Sequence, residues 1–296
     1  MEHILGQLLA LLIALCWAQN SLIYSFTGRA IGSRTVAHIR LWIALPLIFI
    51  AHQIFLGSWF PTGFSTMTYL LLALSGVIGF FIADLLIFQS YVLLGPRETL
   101  VILTSSPIFI VILSTIFLDE QIYLLQFIGI IVTVAGVMWV IYSESEKRER
   151  SHTLKGLIIG FSGSLTQSIA MILSKAGMAE GIHPVSANLL RIGAGFIGLV
   201  IFVSLKKEFL SDFRKVRSIR LILLITSAAL AGPIIGIALT LYAITLAPVG
   251  VITAISQVSP ILLLPIEKYI FKKKIGLSTI AGTLIAITGT VILLLG

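Results

Sequence analysis

Apolar residues run along this chain in ten long blocks, at 4–24, 35–56, 68–90, 99–118, 124–142, 154–174, 185–204, 219–242, 249–271 and 276–295. Each is close to the roughly 20 apolar residues that an α-helix needs to cross a bilayer. The longest polar connections, 143–153 and 205–218, leave no room for a soluble domain. The pattern predicts an all-α integral membrane protein of ten transmembrane helices.

Polar landmarks recur within those blocks. Gln19 is matched by Gln167 and Arg40 by Arg191. Tyr91-Val-Leu-Leu-Gly-Pro96 is matched by Tyr242-Ala-Ile-Thr-Leu-Ala-Pro248, and Ser106-Pro107 by Ser259-Pro260. The offsets are 148 residues at the start and 151 to 153 later, an order and spacing that chance seldom preserves. Two five-helix repeats are expected, 1–146 and 147–296, within one compact transmembrane domain.

Composition agrees with a lipid solvent. The chain is 58% hydrophobic and 11% charged with a mean hydropathy of +1.10, against about 25% charged residues in soluble domains. The net charge of +8 does not predict a nucleic-acid partner, because the basic residues sit in short clusters between apolar blocks. Such clusters set membrane topology and meet anionic lipid headgroups. They gather in the connections after blocks 1, 3, 5, 7 and 9, for example Arg29 and Arg34, Arg97, Lys147 to Arg150, Lys206 and Lys207, and Lys272 to Lys274. The opposite face offers Lys175. The rich face is therefore expected to be cytoplasmic, with both termini outside, in the plasma (inner) membrane. An odd number of spans per repeat makes the two halves inverted relative to each other. The segment up to the lone Cys16 outlines a lipoprotein cleavage site, but Met1-Glu2-His3 lacks a positive charge and a retained helix is expected.

Inverted repeats are the recurring architecture of secondary transporters, whose sites lie where the repeats meet. Specific residues sharpen this. Trp17-Ala-Gln-Asn20 in block 1, the arginine early in block 2, and Gly79-Phe-Phe-Ile-Ala-Asp84 leading to Pro96 form an ordered series. Ser106-Pro107 leading to Asp119-Glu120 continues it, and Ser259-Pro260 leading to Glu267 repeats it. In these features nearly the whole chain resembles the EamA family of the drug/metabolite transporter superfamily. The resemblance implies a ten-helix carrier, generally an exporter of amino acids or related metabolites, with a cavity between the halves. One departure is that 57–67 carries no basic residue, so orientation is taken from this chain's own charges.

Ionisable groups inside a bilayer are costly and each needs a reason. Asp84, deep in block 3, is the proton-coupling candidate; the alternative is a structural carboxylate, neutral or paired with Arg40. Arg40 and Arg191, placed at opposite membrane faces by the repeat, are candidates for an anionic substrate group or for snorkelling to the interface. Trp17, Gln19, Asn20 and Gln167 are substrate-binding candidates by aromatic and amide chemistry, with interhelical bonding as the alternative. Trp42 is a second candidate for an aromatic wall, and Asn188 shares a helix face with Arg191. His38 reads as an interfacial histidine, and Glu267 as reaching the headgroups. Pro107 and Pro260 predict helix breaks or hinges, flanked by Ser105, Ser106, Gln257 and Ser259, of which Ser106 and Ser259 are further substrate-binding candidates; paired interruptions are a pointer to a transporter site, static kinks the other reading.

Gly193-Ala-Gly195-Phe-Ile-Gly198 spells a dinucleotide fingerprint without its strand–turn–helix context, so close helix packing is expected there and at Gly156/Gly160. No phosphate-binding loop, nucleophile elbow or zinc motif is found. No cofactor and no metal are expected. Coupling should come from a proton, another ion or a solute gradient. The expected partners are a small-molecule substrate and membrane lipid. The competing classes are an intramembrane enzyme acting on a lipid or isoprenoid, against which the five scattered histidines speak, and a receptor or scaffold.

Overall fold

The computed structural model describes residues 2–118, 123–145, 150–246, 258–270 and 276–295, with 252, 255, 256 and 272. Asp119, Glu120, Lys147, Arg148, Gln257, Lys273 and Lys274 lie outside the described residues, as does the Glu267 side chain.

The described chain is all-helical. In hydrocarbon every backbone N–H and C=O must be satisfied within its own segment, and a helix does this for any apolar run. The elements are α1 (Glu2–Ile31), α2 (Ser33–Leu56), α3 (Thr66–Gly76), α4 (Asp84–Leu93), α5 (Pro96–Leu103), α6 (Ser106–Leu118) and α7 (Leu124–Ser145). There follow α8 (Arg150–Gly177), α9 (Pro184–Leu205), α10 (Phe209–Lys215), α11 (Ile219–Ala229), α12 (Ile237–Leu246), α13 (Ser259–Pro265) and α14 (Leu277–Leu295). Three π-helical turns, Val77–Ala83, Leu230–Gly236 and Ile266–Ile270, join α3 to α4, join α11 to α12 and follow α13.

Among the described residues eight helical stretches are long and apolar enough to cross a membrane, and Leu277–Ile292 is a shorter apolar helix. The block expected at 249–271 falls partly outside the described residues. The protein is a multi-pass membrane protein. Large apolar side chains cover its outside, as on α7, where Leu124, Phe127, Ile131, Met138 and Tyr142 are exposed.

Element ends have local causes. Gly57 stops α2 in the left-handed region, at φ 67°, where its N–H reaches Gln53 O at 3.0 Å. Pro96 and Pro184 open α5 and α9 in the first turn, where a missing N–H costs nothing. The main core gathers α1, α2, α3, α4, α9, α11 and α12 around Tyr24, Leu41, Phe80, Phe88, Leu189 and Leu241. A second cluster lies along α5, α7 and α14 at Val101, Ile102, Val137, Val140 and Ala286. There α7 and α14 form the most closely packed helix pair: a Cβ on Gly136 would collide with the Ala286 backbone, and one on Gly289 with the Thr133 backbone.

The short helix α10 is fastened to the start of α2. Asp212, fully buried, accepts from Thr35 Oγ1 at 2.7 Å and Arg34 Nη2 at 3.0 Å, and faces His38 Nδ1 at 3.2 Å. Trp42 Nε1 donates to His38 Nε2 at 3.1 Å, so the proton of a neutral His38 sits on Nδ1 and points at Asp212. Burial pushes the Asp212 carboxyl up, but the bonds from Thr35, Arg34 and His38 and the Arg34 charge outweigh it and hold it below its ordinary value.

Candidate functional site

Two glycines decide where the site forms. A Cβ on Gly76 would overlap the Arg191 backbone, and one on Gly195 would press on Phe80 Cβ and the Gly76 carbonyl. With hydrogen in place of side chains, α3 and α9 cross almost backbone to backbone. That crossing brings Arg191 against the π-turn Val77–Ala83. Within the turn Gly79 packs closely on Ala170 beside Arg191 Nη2 and Gln167 Oε1, Phe80 points inward, and Asp84 follows directly. Single π-turns inside helices occur often at functional sites.

Around the turn lies a cavity of about 180 Å³, lined from both halves of the sequence. Arg40 Nη2 is paired with Asp84 Oδ2. The Arg40 guanidinium is boxed by rings, with Phe88 at 5.0 Å and Tyr24 and Phe80 each at 5.7 Å. Arg191 lies 5.3 Å from the centre of the same Phe80 ring, so one phenyl touches both cations. Arg191 Nε donates to Ser75 Oγ at 3.0 Å, and Ser75 Oγ in turn donates to Ala170 O at 2.6 Å, tying α9, α3 and α8 together.

The rest of the wall is built on broken backbone. The π-turn Leu230–Gly236 contains Pro233, and Asn188 Nδ2 takes the Pro233 carbonyl at 2.6 Å. The Asn20 amide, with its nitrogen toward Ala228 O at 3.1 Å and its oxygen toward Gly232 N at 3.0 Å, clamps the same turn from α1. The helix stops at Thr104–Ser105 and restarts at Ser106, where Ser106 Oγ meets Ser168 Oγ at 2.7 Å. At the related place Ser259 Oγ bonds Ser256 O at 2.7 Å. Pro107 and Pro260 each sit in the first turn of a restarted helix.

The family model described as the EamA-like transporter family matches residues 4–142 and 154–295. The chain belongs to the EamA-like transporter family. A protein of Archaeoglobus fulgidus named as an uncharacterized transporter is 26% identical over 293 residues, 97% of each chain. A solved crystal structure of a protein superposes with a TM-score of 0.67 at 15% identity, covering 97% of this chain and 95% of the other, which speaks for the fold alone. The protein is thus a membrane transporter.

In this EamA-like chain the cavity gathers Trp17, Asn20, Arg40, Asp84, Ser106, Gln167, Arg191, Ser259 and Pro260. Gln19 is not among them: one residue from Asn20 is about 100° around a helix, and its side chain is exposed. Pro107 does not line the cavity either. Trp42 stands outside it, against Phe196, Phe209 and Phe213. The alternative that Arg40 and Arg191 snorkel to the interface does not hold. Both are buried, at 3% and 1% exposed, because each long side chain runs inward to Phe80 instead of outward to headgroups. His38 is no interfacial bystander but fully buried. Tyr24 and Phe88, also in the wall, offer no contrast in the sequence because an aromatic inside an apolar run resembles its neighbours, and Phe80 and Tyr91 stand there only as members of the motifs, not as cavity residues.

Proposed function

We propose that the chain is a secondary active transporter that moves a small metabolite by alternating access. In this reading ten transmembrane helices form two inverted five-helix halves, 1–146 and 147–296, that rock about the cavity. The observation that carries it is a cavity lined by both halves with the Arg40–Asp84 pair inside it. The π-turns that open at Val77 and Leu230 and the helix restarts at Ser106 and Ser259 support the repeat, each pair being 153 residues apart. The two stretches matched by the family model, which flank 143–153, support it too.

Asp84 is the coupling group. It keeps 14% of its side chain accessible, within the cavity that it lines. A proton arriving there removes the negative charge, loosens Arg40 and changes which state of the cavity is stable. Trp17, Gln167, Ser106 and Ser259 contact the substrate. Amino acids and related metabolites are the class to try first, with export as the direction. The basic connections face the cytoplasm, and both termini face outward from the plasma (inner) membrane.

The test is counterflow and uptake of labelled amino acids and metabolites in proteoliposomes, with and without an imposed pH gradient. Saturable counterflow of one class is expected, and Asp84→Asn should abolish gradient-driven accumulation while sparing exchange. Accumulation that is unchanged in Asp84→Asn would remove Asp84 from the coupling step. Turnover of a substrate without any gradient would point to an enzyme instead.

A further inference from the structure

We propose that the cavity selects small organic anions, an apolar or aromatic body carrying one carboxylate, and that Arg191 is the residue that reads the charge. This rests on the carrier reading above but replaces amino acids, its starting class, with related metabolites that carry a carboxylate and no ammonium group.

The charges around the cavity do not balance. Among the described residues its ionisable wall consists of Arg40, Arg191 and Asp84, with Tyr24 and Tyr91 as neutral phenols. Arg40 takes the carboxylate. Arg191 feels the Asp84 charge only across the cavity, and its direct contacts are a serine hydroxyl and the face of Phe80, neither of which carries charge. A guanidinium presents five N–H donors. Here the bond from Nε to Ser75 is the one hydrogen bond it makes among the described residues, and Nη1 is shut away from solvent without an acceptor. A buried cation with idle donors is an unfavourable arrangement that an anion entering beside it relieves. A carboxylate fits the planar fork of a guanidinium with two parallel bonds.

The same geometry disfavours an ammonium group. A cationic ligand would meet two fixed guanidiniums, and the one carboxylate it needs is already held by Arg40. A zwitterion gains at one end what it loses at the other. The body of the ligand follows from the rest of the wall. Trp17, Phe80, Phe88, Leu103 and Met171 make it mainly apolar and aromatic, and a volume of about 180 Å³ limits the ligand to a small molecule. Arg191 itself lines the cavity, so a head group bound there meets the guanidinium directly.

The experiment uses one body with four head groups: 3-phenylpropionate, phenylalanine, phenethylamine and 3-phenylpropanamide. Equilibrium binding to the purified full chain is measured first, and counterflow of the same compounds in proteoliposomes second. The carboxylate should bind at least about tenfold more tightly than the amine or the amide, as a charge-assisted fork predicts, with the zwitterion between. Arg191→Gln should erase that ranking. Arg191→Lys keeps the charge without the fork, remains useful if the glutamine variant does not fold, and should weaken 3-phenylpropionate severalfold. The proposal is overturned by an amine or zwitterion that binds as well as the carboxylate, by a ranking untouched in either variant, or by no binding of any of the four. Head-group-selective binding without counterflow would instead refute the carrier reading and leave this one standing.

Discussion

The Arg40–Asp84 pair allows a quantitative forecast. Replacing Asp84 with leucine leaves the Arg40 guanidinium buried at 3% exposure with its carboxylate gone. Breaking a buried pair from one side costs about 3–5 kcal/mol. The three rings at 5.0–5.7 Å remain around the cation and soften the loss, since cation–π contacts are worth about 0.5–2 kcal/mol each. A net loss of about 2–4 kcal/mol follows, which at roughly 2 °C per kcal/mol for a chain of this size lowers Tm by about 4–8 °C. Removing both charges, Asp84→Leu with Arg40→Met, should be far milder, because well-packed apolar residues commonly replace a buried ion pair with little or no loss. The assay is thermal unfolding of wild type, both single variants and the double variant, followed by tryptophan fluorescence in one detergent. A double variant as unstable as the sum of the single ones would refute the reasoning. So would an Asp84→Leu protein that melts with wild type.

Other forecasts test neighbouring parts of the argument. Gly76→Ala should cost about 1–3 kcal/mol by overpacking and weaken ligand binding, because its Cβ meets the Arg191 backbone, whereas Gly193→Ala, with nothing within 4 Å, should be tolerated in the same unfolding assay. Asp212 is held below its ordinary value of 3.8, so its stabilisation is complete above that pH and fades as pH falls through the lower folded value. Asp212→Asn should therefore lower Tm at neutral pH, with the gap to wild type closing below about pH 4; a gap that stays at its neutral-pH size down to about pH 3 would contradict the assignment. A cysteine at exposed Ser211, with Cys16 replaced, should resist impermeant thiol reagents added to intact cells, and rapid labelling would reverse the proposed orientation.

The spans were readable because lipid requires long apolar runs, and the few polar residues within them stood out for the same reason. That contrast led to Asp84, Arg40, Arg191 and Gln167. It could not say where a long side chain aims: periodicity gives the depth of Arg191 on α9, while its direction depends on Gly76 and Phe80, more than 100 residues away in sequence. Nor could it find the π-turns, since Val77–Ala83 reads as ordinary apolar helix and its widening emerges only from the packing of α3 against α8 and α9. Gln19 misled because adjacent residues on a helix face different ways, and the match to Gln167 carried no information about face. The link between His38 and Asp212 spans 174 residues and left no local signal.

The seam between α7 and α14 bears on how the chain is made. Gly136 and Gly289 lie 153 residues apart in sequence, yet each needs the backbone of the other helix against it. During synthesis α7 precedes α14 by about 130 residues, so its small-residue face has no partner while the helices between them are made. Contacts between distant parts of a chain are slow to form, and helices waiting for them are exposed to wrong partners. The seam therefore cannot close before α14 is in the bilayer, and until then α7 has no partner for its small-residue face.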